Sequence, residues 1–164
     1  MRRAPDPTIE FNDYRRKRWE VIGSQPEAGE FRPYPPGKPF PQWSLPGLAV
    51  AKCVERQSKE IFERFDLLAF NALYRDGQNI ADYDVLFGLA REAGADVEAI
   101  EAALANDTEA IQQSILEDWQ EAVTKYSITG IPTVVVNDEM VIVGAVPTDN
   151  YRRAIRHYLE QPVG

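Results

Sequence analysis

Apolar positions between residues 44 and 126 recur with the three- and four-residue spacing of amphipathic helices. The pattern predicts five helices, of which the first is capped by Ser44 and ends near Gln57. Gly77 ends the second helix and Gly94 the third, and Asn106 and Glu109 have the spacing of a capping box that opens the fifth. The stripes of the second to fifth helices are Ile61, Phe62, Phe65, Leu68, Ala69, Ala72 and Leu73; Val85, Leu86, Leu89, Ala90 and Ala93; Val97, Ile100 and Leu104; and Ile111, Ile115, Trp119, Ala122, Val123 and Tyr126.

After Tyr126 the pattern changes from helical to extended. Two short runs, Thr133–Val136 and Met140–Val143, are rich in β-branched residues and are predicted to be strands. The polar residues 137–139 between them predict a turn, and Gly144 ends the second strand. A last helix follows with Thr148 as its cap, and its apolar stripe consists of Tyr151, Ala154, Ile155, Tyr158 and Leu159.

Proline sets the first part of the chain apart, because nine of the 12 prolines lie in residues 1–46. Proline lacks an N–H donor and fixes φ, so the stretch 31–46 is predicted to be extended and irregular. One helical piece precedes it, with Phe11, Tyr14, Trp19 and Ile22 roughly on one face and Gly23 at its end. We therefore predict three segments, namely a Pro-rich extended arm over 1–43, a helical block over 44–126 and a strand–strand–helix part over 127–164.

Composition and charge limit the partners. The 164 residues are 44% hydrophobic and 27% charged, near globular averages, and no apolar run reaches the ~20 residues that span a bilayer. Residues 1–46 carry eight Lys/Arg and six Asp/Glu, and the remainder carries ten and twenty, so the body is acidic. An acidic body argues against nucleic acid or an anionic membrane as the partner. Residues 1–7 have no apolar core of a secretory signal, which favours a cytoplasmic location.

The chain is poor in reactive side chains. It has one cysteine, Cys53, and one histidine, His157, which excludes an internal disulfide, a Cys-x-x-Cys pair and a cysteine-rich zinc site. We therefore expect no metal and no cofactor. Cys53 lies inside a predicted helix and is interpreted as a core residue rather than a replacement nucleophile. His157 lies off the stripe of the last helix and is interpreted as a surface residue.

Two charged clusters have a functional and a simpler interpretation. The acidic cluster Glu117, Asp118 and Glu121 has no histidine near it in sequence, which favours a solvated helix face over a metal site. The basic run 15–18 could bind nucleic acid or an acidic partner. The acidic body behind it favours an exposed helix face or tail.

Pro132 is the most informative single residue. It follows Gly130 and Ile131 and directly precedes a predicted strand at Thr133. Proline is tolerated at the first residue of a strand, so a strand that starts after a glycine turn explains the spacing. A cis bond before Pro132 is the alternative, because cis peptide bonds are essentially confined to proline.

The elements around Pro132 also resemble a known family. A long helix, then Tyr126–Thr133 with Gly130-Ile131-Pro132-Thr133, two strands ending in Val143-Gly144-Ala145, and then Pro147 and a helix with Tyr151 resemble the C-terminal part of the DsbA-like thioredoxin-fold family. Ser44-Leu45-Pro46, Ile80-Ala81-Asp82 and residues 90–94 resemble the helical insertion of its FrnE-like branch. The resemblance covers about residues 44–160. It implies an α/β protein with an incomplete thioredoxin-like fold, in which a helical insertion-type block precedes a β-hairpin and a C-terminal helix.

The resemblance implies a binding site at Ile131, Pro132 and Thr133. In the family the matching proline is cis, the residue before it faces the redox cysteines, and the flanking backbone pairs with an extended peptide or thiol substrate. The family's first strand and Cys-x-x-Cys segment have no counterpart in this chain. A gene-start error, a truncation or a natural loss would each explain this difference. We therefore expect a member of the thiol–disulfide oxidoreductase class that is inactive in this chain and has no catalytic residue.

Two other functions stay open. One is a non-catalytic domain that uses the surface around Pro132 to bind peptides or proteins. The other is a glutathione-handling relative such as the kappa-class transferases or the hydroxychromene-carboxylate isomerases, whose sequence after the hairpin differs from Gly144-Ala145-Val146-Pro147.

Without the family's first strand, one strand of the hairpin is expected to have an open edge. A two-stranded hairpin is marginal in water, and an open apolar edge invites another chain. We expect the partner to be the arm residues Phe31–Tyr34 or, in a homodimer, the strand of a second copy.

Overall fold

A computed structural model describes Asp6 and residues 8–160 of the chain. The expectation that residues 1–7 are not part of a secretory signal concerns residues that, apart from Asp6, lie outside the described part. In order, the described elements are α1 (Asp13–Gly23), α2 (Leu45–Gln57), α3 (Lys59–Tyr74), α4 (Tyr83–Ala93), α5 (Val97–Asn106), α6 (Thr108–Thr124), β1 (Thr133–Val136), β2 (Met140–Val143) and α7 (Thr148–Leu159). The predicted α/β class is confirmed, with helices first and then a hairpin and a helix.

Polar side chains fix most helix starts. Asn12, Ser58, Asp82 and Asp96 each accept a hydrogen bond from a backbone N–H in the first turn of the helix that follows. The predicted capping box at Asn106 is wrong. Asn106 is the last residue of α5, and its side-chain amide donates to the Ala102 carbonyl oxygen at 2.8 Å, so it ends one helix rather than opening the next.

The core lies among helices α2 to α5 and the first half of α6. Its fully buried side chains are apolar, and the described residues contain no buried polar or charged residue. Burying such side chains removes apolar surface from water, which is the main favourable term in folding. The core consists of Ala49, Val50, Cys53, Val54, Phe65, Ala72, Leu86, Leu89, Ala90, Ala93, Val97, Ile100, Ile111 and Ile115.

The N-terminal arm is irregular after α1, as predicted, but it does not pair with the hairpin. The sheet in the described residues has only β1 and β2. The Arg32 N–H instead donates to the Tyr74 carbonyl oxygen at 2.8 Å, and Tyr34 is buried with its hydroxyl donating to the Pro39 carbonyl oxygen at 2.6 Å. The predicted pairing of Phe31–Tyr34 with the hairpin edge is therefore wrong.

Aromatic packing explains where the arm goes instead. Six rings from the arm, α1 and α3 lie within contact distance of one another, with centroid separations of 5.0–6.5 Å. The arm passes close to Gly77, where a Cβ would collide with the Pro35 ring. Glycine has no Cβ and readily adopts the φ of +60° found at this position. The aromatic cluster consists of Phe11, Trp19, Phe31, Tyr34, Phe40 and Tyr74.

The chain divides into two compact units, with the boundary after Ile115. We call residues up to Ile115 the helical unit and residues from Leu116 onward the C-terminal unit. The three sequence segments remain a prediction. Each helix in the described part of the chain is too short or too polar to cross a membrane.

The hairpin of the C-terminal unit is antiparallel, and Thr133 lies opposite Val143. Asn137 and Asp138 in its turn have φ of 53° and 56°, a left-handed conformation that Asn and Asp adopt more readily than most residues. The Glu139 N–H closes the turn by donating to the Val136 carbonyl oxygen at 3.2 Å.

Candidate functional site

Both ends of the segment before β1 are held in place. At its start, the Tyr126 hydroxyl donates to the Asp138 carboxylate at 2.6 Å, and Lys125 Nζ lies 3.9 Å from the same carboxylate. Contacts with the Tyr126 hydroxyl and with the Glu121 carboxylate raise the pKa of Lys125, so it stays protonated. At the segment's end, the Gly144 N–H donates to the Pro132 carbonyl oxygen at 2.8 Å. These contacts place residues 127–132 alongside the hairpin.

The structure brings Ile131, Pro132 and Thr133 together at the start of β1. The Ile131–Pro132 peptide bond is cis. Ile131 is 95% exposed, the highest value among the large apolar side chains described, and Pro132 is exposed beside it. Thr133 is half-buried, and its hydroxyl donates to the Gly130 carbonyl oxygen at 2.7 Å. We call Ile131, Pro132 and Thr133 the proline site.

The backbone groups of β1 show which residues can pair with another strand. Opposed residues in an antiparallel ladder alternate between hydrogen-bonded and non-bonded pairs. Because Gly144 donates to Pro132, the next pair, Thr133 and Val143, is non-bonded, and so is Val135 with Val141. Thr133 and Val135 therefore direct N–H and C=O away from β2, beside the exposed Ile131.

The single thiol lies elsewhere. Cys53 is 3% exposed in α2 and belongs to the core of the helical unit, in agreement with its interpretation as a core residue. Burial raises the pKa of the Cys53 thiol, with the Asp107 charge acting in the same direction and Arg56 opposing it. A buried neutral thiol is a poor nucleophile.

The other candidate residues are on the surface. His157 is exposed, with its ring 5.1 Å from that of Tyr158. Glu117, Asp118 and Glu121 lie at exposed positions of α6. Among the residues that the structure describes, no group of three or more His, Cys, Asp or Glu side chains is arranged to hold a metal ion.

The basic run of α1 has a role that sequence reasoning missed. The guanidinium groups of Arg15 and Arg16 lie 5.3 and 5.2 Å from the ring centroids of Phe40 and Phe11. These cation–π contacts place half of the run against the aromatic cluster. The sequence carried no signal for this, because Phe40 is 25 residues away in an irregular segment.

The order of helices, hairpin and C-terminal helix is that of the thioredoxin-like class, and comparison with known proteins gives the family. The family model of the DSBA-like thioredoxin domain matches residues 47–156. The chain belongs to this family, which confirms the family inferred from the residues around Pro132. It is also 33% identical over 93 residues to the "Uncharacterized protein YwbO" of Bacillus subtilis (strain 168). That match covers 56% of this chain and 44% of YwbO, so the chain matches less than half of that relative.

Proposed function

We propose that this chain is a peptide-binding domain of the thiol–disulfide oxidoreductase class whose proline site holds an extended polypeptide. The observation that carries the proposal is the exposure of Ile131 next to an unpaired strand edge. An isoleucine left in water forgoes the free energy of burying its side chain, and an apolar peptide residue packed against it would recover that energy.

The neighbouring backbone supports strand addition as the binding mode. The outward N–H and C=O groups of Thr133 and Val135 can pair with a peptide that lies alongside β1. Backbone pairing supplies affinity with little dependence on sequence, and Ile131 adds a preference for an apolar side chain.

We infer further that the chain does not by itself exchange disulfides. Exchange needs an accessible thiolate that attacks and a second thiol that resolves the mixed disulfide. The chain has one cysteine, and burial keeps its thiol protonated at neutral pH. A cytoplasmic location is part of the proposal, since reducing compartments suit a chain with a single unpaired thiol.

Fluorescence anisotropy with a labelled, reduced and alkylated insulin B chain tests the binding half of the proposal. We expect Ile131→Ser to weaken binding by roughly tenfold, since a buried interface anchor contributes more than ~1 kcal/mol. Leu67→Ser is the matched control, because Leu67 is also exposed but lies on α3 of the helical unit. Equal affinities of all three proteins would refute the proposed site.

Insulin reduction in the presence of dithiothreitol tests the chemical half. We expect insulin to precipitate at the same rate with the chain present as with dithiothreitol alone. An accelerated rate that is lost in Cys53→Ala would show that Cys53 acts as a redox thiol.

A further inference from the structure

The two strands of the hairpin have more apolar surface than the structure covers. Seven of their eight residues are aliphatic or methionine, and uninterrupted apolar runs are typical of strands covered on both faces. None of the eight is fully buried, and Val143 is 56% exposed. The sequence therefore fits a more completely covered sheet than one chain provides.

Among the residues that the structure describes, no strand pairs with the outer edge of β2. Hydrogen-bonded and non-bonded pairs alternate along the ladder, and Val141 and Val143 belong to non-bonded pairs. They therefore direct their N–H and C=O groups away from β1. Natural edge strands discourage association with charges, prolines or bulges. Met140–Val143 contains no charged residue and no proline, and the proline site lies at the other edge, on β1.

Helix α7 carries further exposed apolar residues. Its Tyr151 hydroxyl donates to the Gly144 carbonyl oxygen at 3.5 Å, which places the first turn of the helix beside the end of β2. Ile155 and Leu159 belong to the same apolar stripe and are 49% and 78% exposed. We call Val141, Val143, Ile155 and Leu159 the β2-edge patch.

We propose that two copies of this chain associate through the β2-edge patch, with their β2 strands antiparallel about a twofold axis. The patch carries no charge, and antiparallel pairing keeps the two acidic turns at 138–139 at opposite ends of the joint sheet. Parallel pairing would bring these turns together.

The register follows from the outward backbone groups. Pairing Val141 with Val143 of the partner uses every outward group of both strands and places Ile142 on the twofold axis. The centres of the two hairpins are then two strand spacings, about 10 Å, apart. Neighbouring helices pack at that distance, and we expect the two α7 helices to pack side by side and to bury Ile155 and Leu159.

The dimer does not depend on the proposed function, because the β1 edge and the proline site stay open at both ends of the four-stranded sheet. It also relieves the weakness of an isolated hairpin, since sheets of three or more strands with an apolar face are stable where two strands are marginal.

Light scattering on the full chain tests the dimer with two proline variants. Val141→Pro removes an outward N–H on the β2 edge, and Val135→Pro removes the outward N–H of the residue directly opposite on the β1 edge. We expect a dimer for the wild type and Val135→Pro and a monomer for Val141→Pro. A monomeric wild type would overturn the proposal, also if its β2 edge pairs with a different protein. A dimeric Val141→Pro together with a monomeric Val135→Pro would overturn it as well.

Cysteine cross-linking tests the register without relying on proline. In a Cys53→Ala background, Ile142→Cys places a thiol on the axis, where opposed Cα atoms are about 4.5 Å apart and a disulfide can form. Val134→Cys is the matched control, because Val134 lies opposite Ile142 in the hairpin. We expect a covalent dimer on mild oxidation for Ile142→Cys alone. Its absence, or efficient cross-linking of Val134→Cys, would refute the β2 interface.

Discussion

The helical unit and the C-terminal unit differ most in how well each covers its own apolar residues. The helical unit buries a continuous core that runs from Ala49 in α2 to Ile115 in α6. In the C-terminal unit, Ala154 is the one described residue that is buried. The part of the chain that carries the candidate site is thus the part with the least core.

This difference indicates that the helical unit supplies most of the stability and that the C-terminal unit supplies the surfaces proposed for binding. Domains of about 60 residues or fewer are marginally stable because they bury a small share of their surface, and the C-terminal unit spans 49 residues. The open edges and the exposed Ile131 are the same surfaces that can bind a peptide or a second copy. Incomplete cover in the C-terminal unit is therefore a physical reason to expect partners there and not on the helical unit.

The largest expected effect is in the core of the helical unit. Phe65→Ala should lower the free energy of unfolding by about 3–5 kcal/mol, because Phe65 is 2% exposed and its loss leaves a cavity. Phe70→Ala on the same helix is the control and should cost less than about 1 kcal/mol, since Phe70 is 55% exposed. Denaturant titration measures both, and equal losses would contradict this placement of the core.

Cys53 offers a second probe of that core. Cys53→Ser puts a hydroxyl among apolar side chains and should lower the free energy of unfolding by about 1–3 kcal/mol. Because burial raises the pKa of the thiol in the folded state, the unfolded chain ionises first, and the thiol's contribution to stability is lost as pH rises above about 8.5. The loss of stability on going to alkaline pH should therefore be smaller in Cys53→Ala than in the wild type.

The buried tyrosine of the arm tests whether residues before α2 share in this stability. Tyr34→Phe removes the hydroxyl that donates to Pro39 and should lower the free energy of unfolding by about 1 kcal/mol. Tyr83→Phe, at an exposed tyrosine, is the control and should change stability little. If Tyr34→Phe were as neutral as Tyr83→Phe, the arm would not be part of the folded helical unit.

The smallest effect is expected in the C-terminal unit. Tyr126→Phe removes the hydroxyl that donates to Asp138 at an exposed position, which should lower the free energy of unfolding by only about 0.5 kcal/mol. Binding of the labelled peptide should weaken more visibly, because this contact fixes the start of the segment that ends at Ile131. A loss of several kcal/mol would mean that the C-terminal unit has a core that the structure does not show.

Local patterns in the sequence were sufficient for the helices and the hairpin, whereas the binding role of the proline site rests on the family resemblance and stays a prediction. Apolar periodicity marks α2 to α7, and the β-branched runs mark both strands, because these signals arise from residues a few positions apart. Asn106 was misassigned because the same side chain can begin or end a helix. In the structure its side-chain amide donates back to the Ala102 carbonyl oxygen, which is a contact of a helix end.

Long-range contacts could not be predicted. The arm packs against Tyr74 and Trp19 through aromatic rings that follow no period in the sequence, so nothing local distinguishes this arrangement from pairing with the hairpin edge. The contact between Tyr126 and Asp138 likewise joins a helix end to a turn 12 residues later. Such pairs depend on how the elements pack and not on the residues beside them.

Hydrogen exchange of backbone amides at low and high protein concentration tests the central claim most directly. In dilute solution we expect the hairpin amides of Val134 and Ile142 to exchange at least ~10-fold faster than those of Val54 and Leu89 in the helical unit. At high concentration the outward amides of Val141 and Val143 should become protected. If the hairpin amides exchanged as slowly as those of the helical core in dilute solution, the claim that the C-terminal unit does not bury its own apolar residues would be contradicted.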